Sequence, residues 1–168
     1  FESHSKLLTL RDTCRKNLFS AGIASLHKRE EVAMKKSKSG LIRSDWDELR
    51  FSDAISIANG QVDPTDQRSK GLVQIGPERI EKNTGRILEY KSAEELGISS
   101  GNYLFTDEDI LYSKIRPYFK KVANPDFEGL CSADIYPLRV TDSSLLKDFV
   151  FYYLLTEQLT QTLLRFQN

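Results

Sequence analysis

Ile110-Leu111-Tyr112-Ser113-Lys114-Ile115-Arg116-Pro117-Tyr118-Phe119-Lys120-Lys121-Val122 is the stretch that decides how this 168-residue chain reads. Residues 110–115 are rich in β-branched, aromatic and aliphatic side chains and form a predicted strand; Arg116-Pro117 is a turn signal, and 120–122 open the next strand. Residues 113–122 hold four cations and no acid. Lys114 and Arg116, two apart on the predicted strand, share one face. Pro117 then forces a turn or an edge, which brings Tyr118, Lys120 and Lys121 nearby. Cations interleaved with an aromatic suit a sugar-phosphate backbone and a stacking surface. The same residues also fit a solvated strand face, with Tyr118 and Phe119 partly in the core.

Outward from this stretch, short apolar runs alternate with turn residues from Trp46 to Val140. Strands are predicted at 48–51, 54–58, 72–75, 86–90, 103–105, 120–122, 130–132 and 135–140, with turn signals such as Asn59-Gly60, Asn83-Thr84-Gly85 and Asn124-Pro125-Asp126 between them. Residues 92–96 are a predicted short helix. Asp142 caps a helical run that carries Leu145, Leu146, Phe149, Val150, Tyr153 and Leu154; a second helix starts at Thr156, or the first continues. Near the start, Leu7, Leu10, Cys14, Leu18 and Ala21 recur at helical spacing between a Ser5 cap and a Gly22 stop. An apolar seam this narrow suits either a partner helix or the chain's own domain. Strands followed by helices, without βαβ alternation, give an α+β fold. The expected division is a helix at 1–23, a basic linker at 24–44 and a domain at 45–168.

With 24 Lys+Arg against 24 Asp+Glu the formal charge is zero, which excludes a uniformly basic protein. The zero is a cancellation. Residues 1–44 carry net +6 and residues 45–168 net −6, yet within the acidic part residues 68–91 carry net +3. A nucleic-acid footprint is local, so a neutral total does not argue against one. The longest apolar run, residues 149–155, is far too short to span a membrane, and no export signal is visible. A cytoplasmic protein is expected, with Cys14 and Cys131 as reduced thiols. The chain opens on Phe1, so a trimmed or processed piece, or one with a disordered start, is expected.

Two Cys and two His, His4 and His27, are too few for a convincing zinc site. No histidine follows residue 45, which rules out a Ser-His or Cys-His pair there without a second chain. No phosphate-cradling glycine motif occurs. Glu89-Tyr90-Lys91, with Asp63 or Asp66 upstream, matches part of a metal-dependent nuclease core. That pattern is expected about twice by chance in this composition and occurs once, so a nuclease stays an alternative without weight of its own. Asp107-Glu108-Asp109 reads as a solvated turn rather than a metal site. Cys131 reads as a buried strand residue, and Asp134, which interrupts an apolar stretch, as an anchor for a backbone N–H or an Arg.

Gly101-Asn102-Tyr103-Leu104, then residues 110–118, then Gly129-Leu130-Cys131-Ser132-Ala133-Asp134-Ile135-Tyr136-Pro137-Leu138 resemble, in this order and spacing, the target recognition domain of type I restriction–modification specificity subunits. Residues 46–53 look like the start of such a domain, and 149–155 like the tyrosine-rich helix after its last strands. Leu10-Arg11-Asp12-Thr13 and Phe19-Ser20-Ala21-Gly22 look like the end of the long conserved helix before one. The resemblance implies a mixed, strongly twisted sheet with short helices, and a non-catalytic role: reading one half of a split double-stranded DNA target. It also implies partners, namely methyltransferase (modification) subunits and a restriction/translocase subunit, which would carry the S-adenosylmethionine, ATP and Mg chemistry; this chain needs no cofactor. A second recognition domain, or a homodimer through the helices, would complete the target. A complete subunit is more than twice this long, so the resemblance makes the chain a fragment, a half-subunit or one recognition domain with a helix stub. Lys114, Arg116, Lys120 and Lys121 are the expected phosphate contacts, with Tyr118 stacking and Lys82 adding a cation. Gln74, Arg79, Asn83, Arg86 and Asn102 carry amide or bidentate chemistry suited to base edges. A protein-interaction module built on the helix at 5–21 is the remaining alternative.

Overall fold

The computed structural model describes residues 33–37, 40–58 and 60–165. The expected helix at 5–21, Cys14 and both histidines lie outside the described residues. Those described fall into two compact units, one of residues 50–155 and one that joins the described residues before 50 to 156–165.

In the smaller unit, β1 (Met34–Ser37) and β2 (Gly40–Arg43) pair antiparallel, with Lys35 opposite Ile42. This part of the expected linker is therefore a hairpin. The charged residues lie along solvated strand faces, and Ile42 supplies the buried position. Asp45 accepts from Arg43 Nε and NH2 at 2.8 and 2.6 Å, which holds its carboxyl below the usual range.

The larger unit opens with α1 (Phe51–Ala54), where a strand was expected at 48–51, and continues into β3 (Ile55–Ile57) and β4 (Gln61–Val62). There follow β5 (Gln74–Ile75), β6 (Asn102–Phe105), β7 (Asp109–Ser113), β8 (Val122–Ala123), β9 (Gly129–Ser132) and β10 (Ile135–Val140). Two four-stranded sheets result, ordered β3-β10-β7-β8 and β4-β6-β9-β5. All pairs are antiparallel except β5 with β9, so the domain is mixed, with twisted sheets and few helices, as expected. The two-residue turn Ala133-Asp134 carries the chain from β9 in one sheet to β10 in the other. Asp134, which breaks the apolar stretch, is thus an exposed turn residue between the two strands. Ile75, Phe105 and Cys131 from one sheet meet Leu111, Ala123 and Ile135 from the other in a fully buried core, joined by Ile80. Gly129 sits where a Cβ would lie 2.6 Å from both the Phe105 ring and the Val73 carbonyl, so the close approach of β9 requires glycine.

Asp109 is the main surprise of the core. Its carboxylate accepts from Arg139 Nε and NH2, both at 2.9 Å, and from the Thr106 amide at 2.8 Å. The expected solvated acidic turn therefore contributes a buried anchor between neighbouring β7 and β10. The Asp109 hydrogen bond, opposed by burial and aided by the charges of Asp109, Glu108 and Asp107, raises the Arg139 pKa.

The expected strand at 86–90 is reduced to a single bridge between Ile80 and Ile87. Residues 92–96 form one turn rather than a helix. Ser92 and Glu95 cap each other reciprocally, with the Ser92 amide donating to Glu95 Oε2 at 2.8 Å and the Glu95 amide to Ser92 Oγ at 3.2 Å. Asp142 caps the turn before the helix, accepting from the Ser144 amide at 2.8 Å. Then α2 (Lys147–Leu154) buries Val150, Phe151 and Leu154 and leaves Leu146, Phe149 and Tyr152 outside. Separately, α3 (Glu157–Arg165) starts after Thr156, whose Oγ1 accepts from the Leu159 amide.

Candidate nucleic-acid interface

The cationic segments at 68–91 and 113–122 converge within the larger unit. Between Pro77 and Ile87 the chain folds back on itself through a bridge of Ile80 to Ile87 and a Glu81 amide hydrogen bond to the Arg86 carbonyl at 2.9 Å. The tip turns at Asn83 and Gly85, both at positive φ, +65° and +84°. The second segment leaves β7 at Ser113, turns through Arg116 and Lys120, both left-handed at φ +52° and +46°, and brackets the 3-10 turn Pro117–Phe119. The Asn83 amide donates to the Phe119 carbonyl at 3.1 Å, and Lys121 Nζ donates to the Pro77 carbonyl at 2.5 Å. The loops are thus bonded to one another at two points.

Phe119 is the centre of the junction. Lys82 Nζ lies 5.7 Å and Arg116 Cζ 6.0 Å from its ring centroid, and Tyr118 meets it edge-on at 4.7 Å. Among the described residues no carboxylate pairs with Lys82 or Arg116. Tyr118 is 51% exposed. The Arg86 side chain is 69% exposed and donates from NH2 to Glu81 Oε1 at 3.2 Å; the other Glu81 oxygen accepts from Thr84 Oγ1 at 2.8 Å. Lys82, Arg116 and Tyr118 therefore meet at Phe119, with Arg86 exposed on the same loop as Lys82 and Lys121 tying the two loops together.

Other expected contacts are placed elsewhere. Gln74 and Asn102 are only 3% and 1% exposed and bond to each other, Gln74 Nε2 donating to Asn102 Oδ1 at 3.0 Å. They brace β5 and β6 across β9, so base contacts from them are corrected to a structural role: their polar groups are already satisfied inside. Arg79 donates to Gln74 Oε1 at 3.2 Å, pairs with Glu78 and faces Glu89 at 3.4 Å, which turns it inward as well. Lys120 is buried, where its left-handed backbone directs it. Lys114 and Arg116 do not share a strand face, because β7 ends before both. Lys114 Nζ donates to the Ala133 carbonyl at 2.6 Å and lies 4.1 Å above the Tyr136 ring and 5.6 Å from that of Tyr103. Asn83 acts through its backbone turn. Sequence reasoning missed Phe119 as an organiser; the cations that flank it on both segments were the available signal.

The nuclease constellation is not assembled. Asp63 Oδ1 accepts from Thr65 N and Oγ1, which lowers its pKa, and Glu89 pairs with Lys91 at 2.6 Å. Among the described residues no group of three or more His, Cys, Asp or Glu could hold a metal ion. Cys131 is buried, its thiol pKa pushed up to about 12 by burial and the nearby Asp109 charge. The interaction-module alternative rests on residues outside those described. No described helix is long and apolar enough to cross a membrane.

By sequence the chain is similar to a type I restriction–modification specificity subunit, and it shares its fold, one antiparallel and one mixed sheet, with solved chains of type I systems. It is 35% identical over 119 residues to the type I restriction enzyme EcoDI specificity subunit of Escherichia coli; these residues are 71% of this chain and 26% of that subunit. The HsdS subunit from Thermoanaerobacter tengcongensis shares the fold at TM-score 0.51 and 16% identity, over 96% of this chain and 38% of that one. A chain from a type I R-M system, solved for its complex assembly and conformational transition, shares it at TM-score 0.57 and 19% identity, over 68% and 30% of the two chains. The present chain thus spans about a quarter of the curated relative it matches. No protein-family model matches it.

Proposed function

We propose that the larger unit recognises double-stranded DNA sequence-specifically, reading one half of a split target for a type I restriction–modification assembly. The observation that carries this reading is the meeting of Lys82, Arg116 and Tyr118 at the Phe119 ring, where the loop that also carries Arg86 is tied to the second loop by Lys121 and Asn83. It sets a local positive edge in a part of the chain that is acidic overall. The chain is non-catalytic in this role. Methyl transfer and cleavage, with S-adenosylmethionine, ATP and Mg, fall to modification and restriction subunits that the specificity subunit brings to the site. The similarity to a specificity subunit and the solved type I R-M neighbour support these partners. The expected domain limits, 1–23, 24–44 and 45–168, belong to this proposal, with residues 50–155 as its compact centre.

Fluorescence anisotropy of the whole chain with random-sequence duplex DNA, from 50 to 200 mM salt, tests the reading. Binding that weakens linearly in log–log form, and less steeply when Lys82, Arg116 and Lys121 are changed together to Gln, is the expected result. Absence of binding at 50 mM salt overturns it.

A further inference from the structure

The cationic edge contains two kinds of arginine and lysine, and the difference has a functional meaning. Lys82 and Arg116 share the Phe119 ring and have no carboxylate beside them among the described residues. Their charge is left for a ligand. Arg86 is held instead. Glu81 Oε1 accepts from its NH2 at 3.2 Å, Thr84 Oγ1 donates to the second Glu81 oxygen at 2.8 Å, and the same hydroxyl accepts from the Arg86 amide at 3.1 Å. The Glu81 amide closes the ring of contacts on the Arg86 carbonyl at 2.9 Å. A carboxylate in this position offsets the charge of Arg86 and fixes the direction of its guanidinium. That arrangement is poor for attracting a phosphate, where charge matters and direction matters little. It suits a planar fork that must meet two acceptors in a fixed geometry. Of the five guanidinium donors, one is engaged with Glu81 and the side chain projects largely into solvent.

We propose, on the basis of the DNA-recognition reading above, that Arg86 is a specificity-determining residue that reads a guanine edge in the major groove through its O6 and N7, with Glu81 as its positioning residue, while Lys82 and Arg116 bind backbone phosphates without regard to sequence. The three functions sit within one bonded pair of loops, so the phosphate contacts fix the register in which Arg86 meets its base.

The test uses the whole chain and the duplex it selects from a random pool, with a panel carrying each single base-pair change, measured at several salt concentrations. Arg86→Lys keeps the charge and removes the fork. Its expected effect is loss of discrimination at one G·C pair, roughly 5- to 150-fold, with the other positions and the salt slope unchanged. Glu81→Gln should lose part of the same discrimination at the same pair. Lys82→Gln and Arg116→Gln should each lower the salt slope by about 0.9 and weaken all duplexes of the panel alike. Lys70→Gln, which removes a cation paired with Glu94 elsewhere, is the control and should move neither quantity. Full discrimination by Arg86→Lys, or a uniform loss across the panel with a lower slope, overturns the assignment. If the unaltered chain selects no sequence, the recognition reading fails and this inference with it; a clear selected motif that Arg86→Lys preserves sinks the inference alone.

Discussion

The amide of Asn83 donates to the carbonyl of Phe119 at 3.1 Å, and this bond joins two loops that are 36 positions apart in the chain. Each loop carries residues in left-handed backbone, Asn83 on one side and Arg116 and Lys120 on the other. Such conformations persist only when surrounding contacts enforce them. The joint therefore holds a cationic edge in a fixed shape, which limits the ordering that the proposed DNA binding would require.

Gly85→Ala should loosen this edge. The residue has φ +84°, and a Cβ there would run into the Phe151 ring of α2. A loss of about 1–3 kcal/mol in urea unfolding is expected, with weaker DNA binding at unchanged net charge. A stability within 0.5 kcal/mol of the parent, by the usual scale for neutral surface changes, would show that the tip does not depend on Gly85.

Asp109→Ala should be among the most damaging single changes. It leaves Arg139 without its bidentate partner and the Thr106 amide without its acceptor. Removing one side of a fully buried pair costs about 3–5 kcal/mol, and the 38% exposure of the Arg139 side chain should bring the loss to about 2–3 kcal/mol. Paired changes that replace both Asp109 and Arg139 should recover part of it in a double-mutant cycle.

Alkali should destabilise the larger unit through Cys131. Its thiol is neutral when protonated, and its pKa is raised from 9.0 to about 12. The fold thus binds that proton more tightly than the unfolded chain does. The stabilising contribution is complete below pH 9 and disappears as the pH rises from 9 to 12. Burial raises the Tyr112 and Tyr153 phenols in the same direction. In a Cys14→Ser background, a thiol reagent at pH 8 should leave Cys131 unmodified until urea unfolds the chain; prompt labelling of the native protein would contradict its placement.

Gln74→Leu should lower stability by about 1–3 kcal/mol, since it leaves the buried Asn102 Oδ1 without its donor and an Arg79 N–H without its acceptor. The salt slope of DNA binding should not change. A lower slope with full stability would return Gln74 to the interface.

Much of the larger unit was legible in the alternation of apolar and turn residues. The strand at Ile135–Val140 and the turn at Arg116-Pro117 were visible because their patterns are local. The strand at 86–90 was not, since its pairing with 79–81 closes only the single bridge of Ile80 to Ile87 and no ladder forms. The acidic run at 107–109 concealed an anchor for the same reason: its partner, Arg139, is 30 positions away from Asp109. The two cationic segments were each readable, yet their meeting at Phe119 depends on backbone turns at Asn83, Arg116 and Lys120 that local propensity does not announce. Gln74 and Asn102 have the chemistry of base readers, and burial alone decides that they serve as a brace.

Selection of duplexes from a random DNA pool by the unaltered chain tests sequence-specific recognition most directly. The expected result is enrichment of one short motif, a few base pairs long, bound at least about 1,000-fold more tightly than the starting pool at physiological salt. A pool that binds but shows no enriched motif after repeated rounds would contradict it.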